Sequence, residues 1–301
     1  MAAARFSPRR SIGRTGFVAS ALGVGDLADP ALPFDDCVAT LRRALDRGLN
    51  VVDTAPNYAD GLSERIVGAA IRDRRDQVFL IDKIDRLDAP VAPQIAGSLA
   101  RLGLERADLF VFHALKSLDE WRALTAPGGG FDQLARCVAA GQARFRGISC
   151  HHPDVLMAAI PSGLCDVVML PVGPWVDRRY LDQVLPLAQR SGVGTVSFKT
   201  FGAGKLVAET SGYGQPWNPP ADAPPPPRLS VDECLAFTLT CDPDVALLGM
   251  STPAEQDAAF DAAQTAAPLA AGDMEGIRTR ARAAIAGKGP CWWDPDPPPS
   301  T

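Results

Sequence analysis

The stretch "NVVDTAPNYADGLSERIVG", residues 50–68, passes from an apolar run through a polar turn into a helical pattern. Val51 and Val52 are β-branched, Asp53 ends the run, and Leu62, Ile66 and Val67 then fall on one helical face. That is a strand followed by a helix, and the unit recurs along the chain. "SALGVG" (20–25), "QVFLIDKI" (77–84), "ADLFVFHA" (107–114), "ARFRGISC" (143–150), "DVVMLPVG" (166–173), "GTVSFKTF" (194–201) and "VALLGM" (245–250) bring the strand candidates to eight, with helical segments between them. The runs are nearly continuous, as in parallel strands covered on both faces, and lack the alternation of a half-solvated sheet. Eight strand–helix units close a (β/α)8 TIM barrel, an α/β fold that holds about 250 residues in one domain. The competing doubly wound sheet would carry a glycine fingerprint after its first strand, which "GVGDLAD" does not supply. Residues 1–301 therefore read as a single barrel.

Composition narrows the function. The 301 residues are 47% hydrophobic and 22% charged, with a net charge of −5, so a large core is affordable and no basic surface for nucleic acid stands out. The Arg-rich start lacks the apolar core of a secretory signal and no apolar run is long enough to span a bilayer, so a cytoplasmic protein with an N-terminal hairpin at about 5–18 is expected. Seven cysteines without CxxC spacing fit reduced thiols. A Pro-rich loop at about 214–229 ends at Ser230, with Glu233 three residues on, a capping-box start for a helix. It is either a stiff linker or part of the mouth. The tail at about 288–301 reads as extended, with Trp292 and Trp293 packing onto the barrel.

In a parallel barrel the C-terminal strand ends converge on one rim. Asp53 ends the second strand, Lys83 and His113 lie near the ends of the third and fourth, and Tyr58 follows Asp53 in its loop. Singly, each has an ordinary explanation: a turn aspartate, a core histidine, or a lysine paired with Asp82 or Asp85. Together they form an acid–base set. Reducing a carbonyl requires a proton at the developing alkoxide, which a tyrosine can donate when a lysine ammonium tunes it and an aspartate holds the lysine.

These residues resemble the aldo-keto reductases. "GLNVVDTAPNYADGLSERIVG" is similar to the stretch carrying that family's catalytic Asp and Tyr, and "LIDK" and "VFHALKS" to its Lys and His segments. The resemblance runs from about Gly13 to Ala263. It implies an NAD(P)-dependent oxidoreductase, of aldo-keto reductase or alcohol dehydrogenase type, with the cofactor extended across the rim. Tyr58 would be the general acid/base, Asp53 and Lys83 its tuners, and His113 the group that orients a small carbonyl or alcohol.

The cofactor side departs from the family. Ser149 is kept, but Cys150 replaces an Asn at the carboxamide and Met169 replaces a Gln. Phe198 would stack on the nicotinamide. Gly202, Ala203 and Gly204 would admit the pyrophosphate, and Lys205 would add charge. After the eighth strand Gly249, Met250, Ser251 and Glu255 would line the cofactor. No basic residue for a 2′-phosphate occurs there, so Glu255 tilts the expectation from NADPH toward NADH, with Arg278 able to reach in from a later helix. His151 and His152 read as a rim contact or as plain loop residues, since adjacent side chains rarely converge on one metal ion. The replaced carboxamide contacts keep a second reading open, a catalytically quiet cofactor-binding or sensor protein on the same barrel. Trp121, Trp175, Tyr213 and Trp217 do not single out a substrate, and oligomeric state is open.

Overall fold

Each apolar run forms a strand, and the eight strands close into one parallel barrel. The computed structural model describes residues 9–218, 227–291 and 293. The barrel strands are β1 (Leu22–Val24), β2 (Val51–Asp53), β3 (Phe79–Ile84), β4 (Leu109–Leu115), β5 (Phe145–Cys150), β6 (Val167–Pro171), β7 (Gly194–Phe198) and β8 (Val245–Leu248). Parallel pairing of Ala246 with Leu22 and of Leu247 with Gly23 closes the ring. Helices α1 (Phe34–Asp46), α2 (Leu62–Ile71), α3 (Val91–Leu102), α4 (Leu118–Thr125), α5 (Gly130–Ala139), α6 (Pro153–Ala159), α7 (Leu185–Ser191), α8 (Val231–Thr240) and α9 (Pro253–Thr265) follow the strands, and α10 (Ala271–Ile285) is added at the end.

Strand periodicity sorts the side chains into two layers. Val51, Phe79, Ile81, Leu109, Val111, Val167, Met169, Val196, Val245 and Leu247 fill the barrel interior. Their neighbours Val52, Leu80, Phe110, Ile148, Val168 and Ala246 join the larger core beneath the helices. The inner series continues upward in steps of two to Asp53, Lys83 and His113. A polar layer thus sits on an apolar filling.

The floor is sealed by an N-terminal hairpin pairing Arg10–Ser11 with Val18–Ala19. Ile12 drops into the inner cluster, and the Gly13 amide donates to Asp244 Oδ2 at 3.0 Å. Residues 5–8 of the expected hairpin lie outside the described residues. At the mouth, the connection after β7 forms a short hairpin, Thr210–Gly212 with Gln215–Pro216. Residues 219–226 of the Pro-rich loop are not described. Ser230 and Glu233 form the expected capping box at the start of α8. Beyond α10, the Lys288 ammonium donates to the carbonyls of Lys205 and Ala208, and the fully buried Trp293 donates to the carbonyl of Trp175 at 3.2 Å. Trp292 and residues 294–301 lie outside the described residues.

Helices α2 and α3 touch backbone to backbone at Gly68, where a Cβ would lie 1.9 Å from the Leu102 carbonyl oxygen. Gly68→Ala is expected to lower unfolding free energy by about 3 kcal/mol by forcing that contact apart. Gly272→Ala, at a helical site where a Cβ meets nothing within 4 Å, should be neutral or raise stability by up to about 1 kcal/mol. Urea midpoints of the two variants, at unchanged slope, check this pair.

Candidate active site

Four side chains meet inside the C-terminal rim. Lys83, 2% exposed, donates to Asp53 Oδ2 at 2.6 Å and to the Thr54 carbonyl at 2.7 Å. Its ammonium lies 4.6 Å from the centre of the Tyr58 ring. Tyr58 and His113 pack edge to face, with ring centres 5.9 Å apart. Strand parity carries Asp53, Lys83 and His113 inward, and the turn at Ala59 and Asp60, both at positive φ, brings Tyr58 back over them. Lys83 pairs with neither sequence neighbour by its ammonium. Asp82 instead accepts the Lys83 backbone N–H, and Asp85 is hydrogen-bonded to His113.

The electrostatics follow from burial. Desolvation raises the Asp53 carboxyl above its usual range, with the charge of Lys83 opposing it. Burial works against the Lys83 ammonium, but Asp53 and then Tyr58 outweigh it and hold the lysine protonated. Burial also raises Tyr58; Lys83 pulls it down and Asp53 pushes it back up. The phenol therefore keeps its proton at neutral pH, and Lys83 is the group placed to stabilise the phenolate once the proton leaves. Asp26, just past β1, supports the cluster through Ser63, which accepts from the Thr54 hydroxyl at 2.9 Å. Burial raises this carboxyl too.

The cofactor side is rearranged relative to the sequence expectation. Ser149 pairs in register with Met169, and Phe198 packs against the inner cluster. Cys150 has the opposite parity: fully buried beneath the helices, its thiol donates to the Leu115 carbonyl at 3.3 Å and accepts the His152 N–H at 3.3 Å. Burial pushes this thiol up to about 12. It fastens two loops and faces away from the rim interior. Lys205 is likewise engaged elsewhere, donating to the carbonyls of Gly289 and Pro290 at 3.2 and 2.8 Å. Gly202, Ala203 and Gly204 form a tight turn with φ of 55°, 55° and 89°. Gly249 and Ser251 are exposed at the end of β8, while Met250 is buried.

Glu255 is not a free carboxylate. It is the third residue of a capping box on α9, accepting the Thr252 N–H at 3.1 Å while its own N–H donates to the Thr252 hydroxyl. The part of the inclination toward NADH that rested on that side chain loses its physical basis. Arg278 lies beside Trp175, Arg178, Glu275 and Arg282, and donates to the Val176 carbonyl at 3.4 Å. Its neighbours on that side belong to the connection between β6 and α7, not to the turn after β8.

Lys199 at the mouth escaped the sequence reading, whereas His151, expected as a rim contact or a plain loop residue, packs there against Phe198. Lys199, at a φ of 75°, donates to the hydroxyl of Tyr213 at the hairpin tip, and its ammonium lies 4.8, 5.4 and 5.5 Å from the rings of Tyr213, Phe198 and Trp293. Burial lowers it to about 7. His151 packs 5.0 Å from Phe198, its carbonyl accepts from the Tyr180 hydroxyl, and burial lowers its imidazole to about 3.

The molecule is thus a (β/α)8 barrel that gathers a buried Lys–Asp pair, a tyrosine and a histidine at its C-terminal rim. The profile of the Aldo/keto reductase family matches residues 21–267, and the chain belongs to that family. L-galactose dehydrogenase of Arabidopsis thaliana is 30% identical over 231 residues, 70% of this chain and 69% of that protein. Pyridoxal 4-dehydrogenase of Microbacterium luteolum is 28% identical over 260 residues, 68% of this chain and 74% of the other. An aldo/keto reductase from Klebsiella pneumoniae, solved in complex with NADP and acetate, shares the fold at a TM-score of 0.66 and 22% identity, covering 87% of this chain and 91% of that one.

Lys83→Met is expected to cost about 3–5 kcal/mol at neutral pH by stranding Asp53. A carboxyl raised in the folded state destabilises the fold above its folded pKa, and that cost disappears as falling pH protonates it. The penalty should therefore shrink toward pH 5, as denaturant titrations at the two pH values would show. Glu255→Gln keeps the capping pattern and is expected to leave the ratio of NADPH to NADH affinity within about two-fold, checked by parallel cofactor titrations.

Proposed function

We propose that this chain is a nicotinamide-dependent oxidoreductase that interconverts a carbonyl and an alcohol on a small molecule. The observation that carries the reading is the Lys83–Asp53 pair, buried and set against the ring of Tyr58. A buried ammonium beside a phenol has a use when that phenol must lose and regain a proton. Asp53 keeps Lys83 charged and fixed, Lys83 stabilises the phenolate, and Tyr58 passes the proton to or from the substrate oxygen. His113 borders the same space and orients that oxygen.

The rim fits a nicotinamide cofactor. Ser149 supplies a hydroxyl beside the inner cluster, the Phe198 ring offers a stacking face, and the turn at 202–204 lets backbone approach an extended pyrophosphate. At Gly249 a Cβ would meet nothing within 4 Å, so the lip after β8 is open. When bound, such a cofactor supplies or takes the hydride. The solved Klebsiella pneumoniae relative holds NADP, and both sequence relatives are named dehydrogenases, one acting on a sugar and one on pyridoxal. These names support sugar-like and aromatic polyols or aldehydes as the substrates to try first.

Tyr58→Phe is expected to lower kcat by about 10²–10⁴-fold on any accepted substrate. Cofactor affinity, followed by quenching of tryptophan fluorescence with NADPH and with NADH, should stay the same. Undiminished turnover by the phenylalanine variant would sink the assignment of Tyr58, and failure of both cofactors to bind would sink the oxidoreductase reading itself.

A further inference from the structure

His113 does not stand alone at the rim. Its Nδ1 lies 2.6 Å from Asp85 Oδ1, and the second oxygen of the same carboxylate accepts the backbone N–H of Asn57 at 3.0 Å. Asp85 follows the end of β3, His113 lies in β4, and Asn57 immediately precedes Tyr58. One carboxylate therefore ties together the segments that carry the lysine, the histidine and the tyrosine. The side chains of Asp85 and His113 are 19% and 15% exposed, so the contact is largely withdrawn from the surface.

A carboxylate only accepts hydrogen bonds, and a neutral imidazole carries one proton. With Asp85 on Nδ1, that proton sits on Nδ1 and Nε2 is left as an acceptor. We propose that Asp85 is a positioning residue of this site, which fixes His113 as the Nδ1–H tautomer and anchors the loop of Tyr58 through Asn57. This builds on the oxidoreductase reading and sharpens its substrate class. A neutral His113 then presents Nε2 as an acceptor, the partner of a substrate hydroxyl. It can donate to a carbonyl oxygen only after gaining a second proton. In that neutral form the site is complementary to an alcohol or a sugar hydroxyl.

The geometry makes the substitution of Asp85 by asparagine informative. An amide has one oxygen, and two N–H groups need acceptors at this position. If the oxygen of Asp85→Asn keeps the Asn57 amide, its NH2 faces Nδ1 and forces the imidazole proton onto Nε2. The test is a long-range 1H–15N correlation spectrum of 15N-labelled full-length protein, at a pH where His113 is neutral, assigned with a His113→Asn sample. The wild type is expected to show the Nδ1–H pattern and Asp85→Asn the Nε2–H pattern. In parallel, kcat of Asp85→Asn should fall by about 10–100-fold, with KM and cofactor affinity changed far less. An Nε2–H pattern in the wild type overturns the proposal, as does an Asp85→Asn protein that keeps wild-type kcat. Should that variant not fold, the wild-type spectrum alone decides. The spectra need no turnover, so a protein inactive on every substrate fails the activity reading while the imidazole pattern still judges the role of Asp85.

Discussion

The contact between Lys83 and Asp53 sets the terms for the rest of the molecule. Removing two charges from water costs several kcal/mol per ion, and only close geometry with further hydrogen bonds offsets it. Here the offset comes from a 2.6 Å contact and from the Thr54 carbonyl at 2.7 Å. Holding these groups so tightly requires β2 and β3 to be fixed in register, and the pairing of Asp53 with Ile81 provides it. Barrel closure, the apolar filling below and the turn that returns Tyr58 all serve a pair that would otherwise destabilise the fold. A site of this cost is retained where it has chemistry to perform.

The mouth is built by segments distant from that pair. The hairpin after β7 brings Tyr213 to Lys199, and the tail beyond α10 is strapped down by Lys205, Lys288 and Trp293. The tetrad comes from strand ends and the loop after β2, whereas the hairpin and strap at the mouth come from the seventh connection and the C-terminal tail. The buried polar cluster and the walls of the mouth are thus built by different parts of the chain.

Much of this was legible in the sequence. The eight strands announced themselves because buried parallel strands need apolar residues on both faces, and Asp53, Lys83 and His113 stood out as the polar breaks in those runs. Parity was the information left unused: Ser149 and Cys150 are neighbours, so in a strand one of them must point away from the axis, and it is Cys150. The "TPAE" of residues 252–255 has the same capping spacing as the "SVDE" of residues 230–233, yet only the second was recognised. Reading Glu255 as a cofactor contact overlooked the helix start it completes. Contacts such as Asp85 to His113 join residues 28 apart and leave no local pattern, so only the folded barrel reveals them. The contact of Lys199 with Tyr213 was hidden for the same reason.

The N-terminal hairpin plugs the floor, and Trp293 lies on the opposite face beside the mouth. The two faces therefore offer unequal handles. A label, surface or fused partner joined through the floor leaves the entrance clear, whereas one joined through the strap pulls on Lys205, Trp175 and, through its ring contact with Trp293, on Lys199. Anyone immobilising this barrel, or reporting on it with a fluorophore, is choosing between a spectator position and one mechanically wired to the entrance.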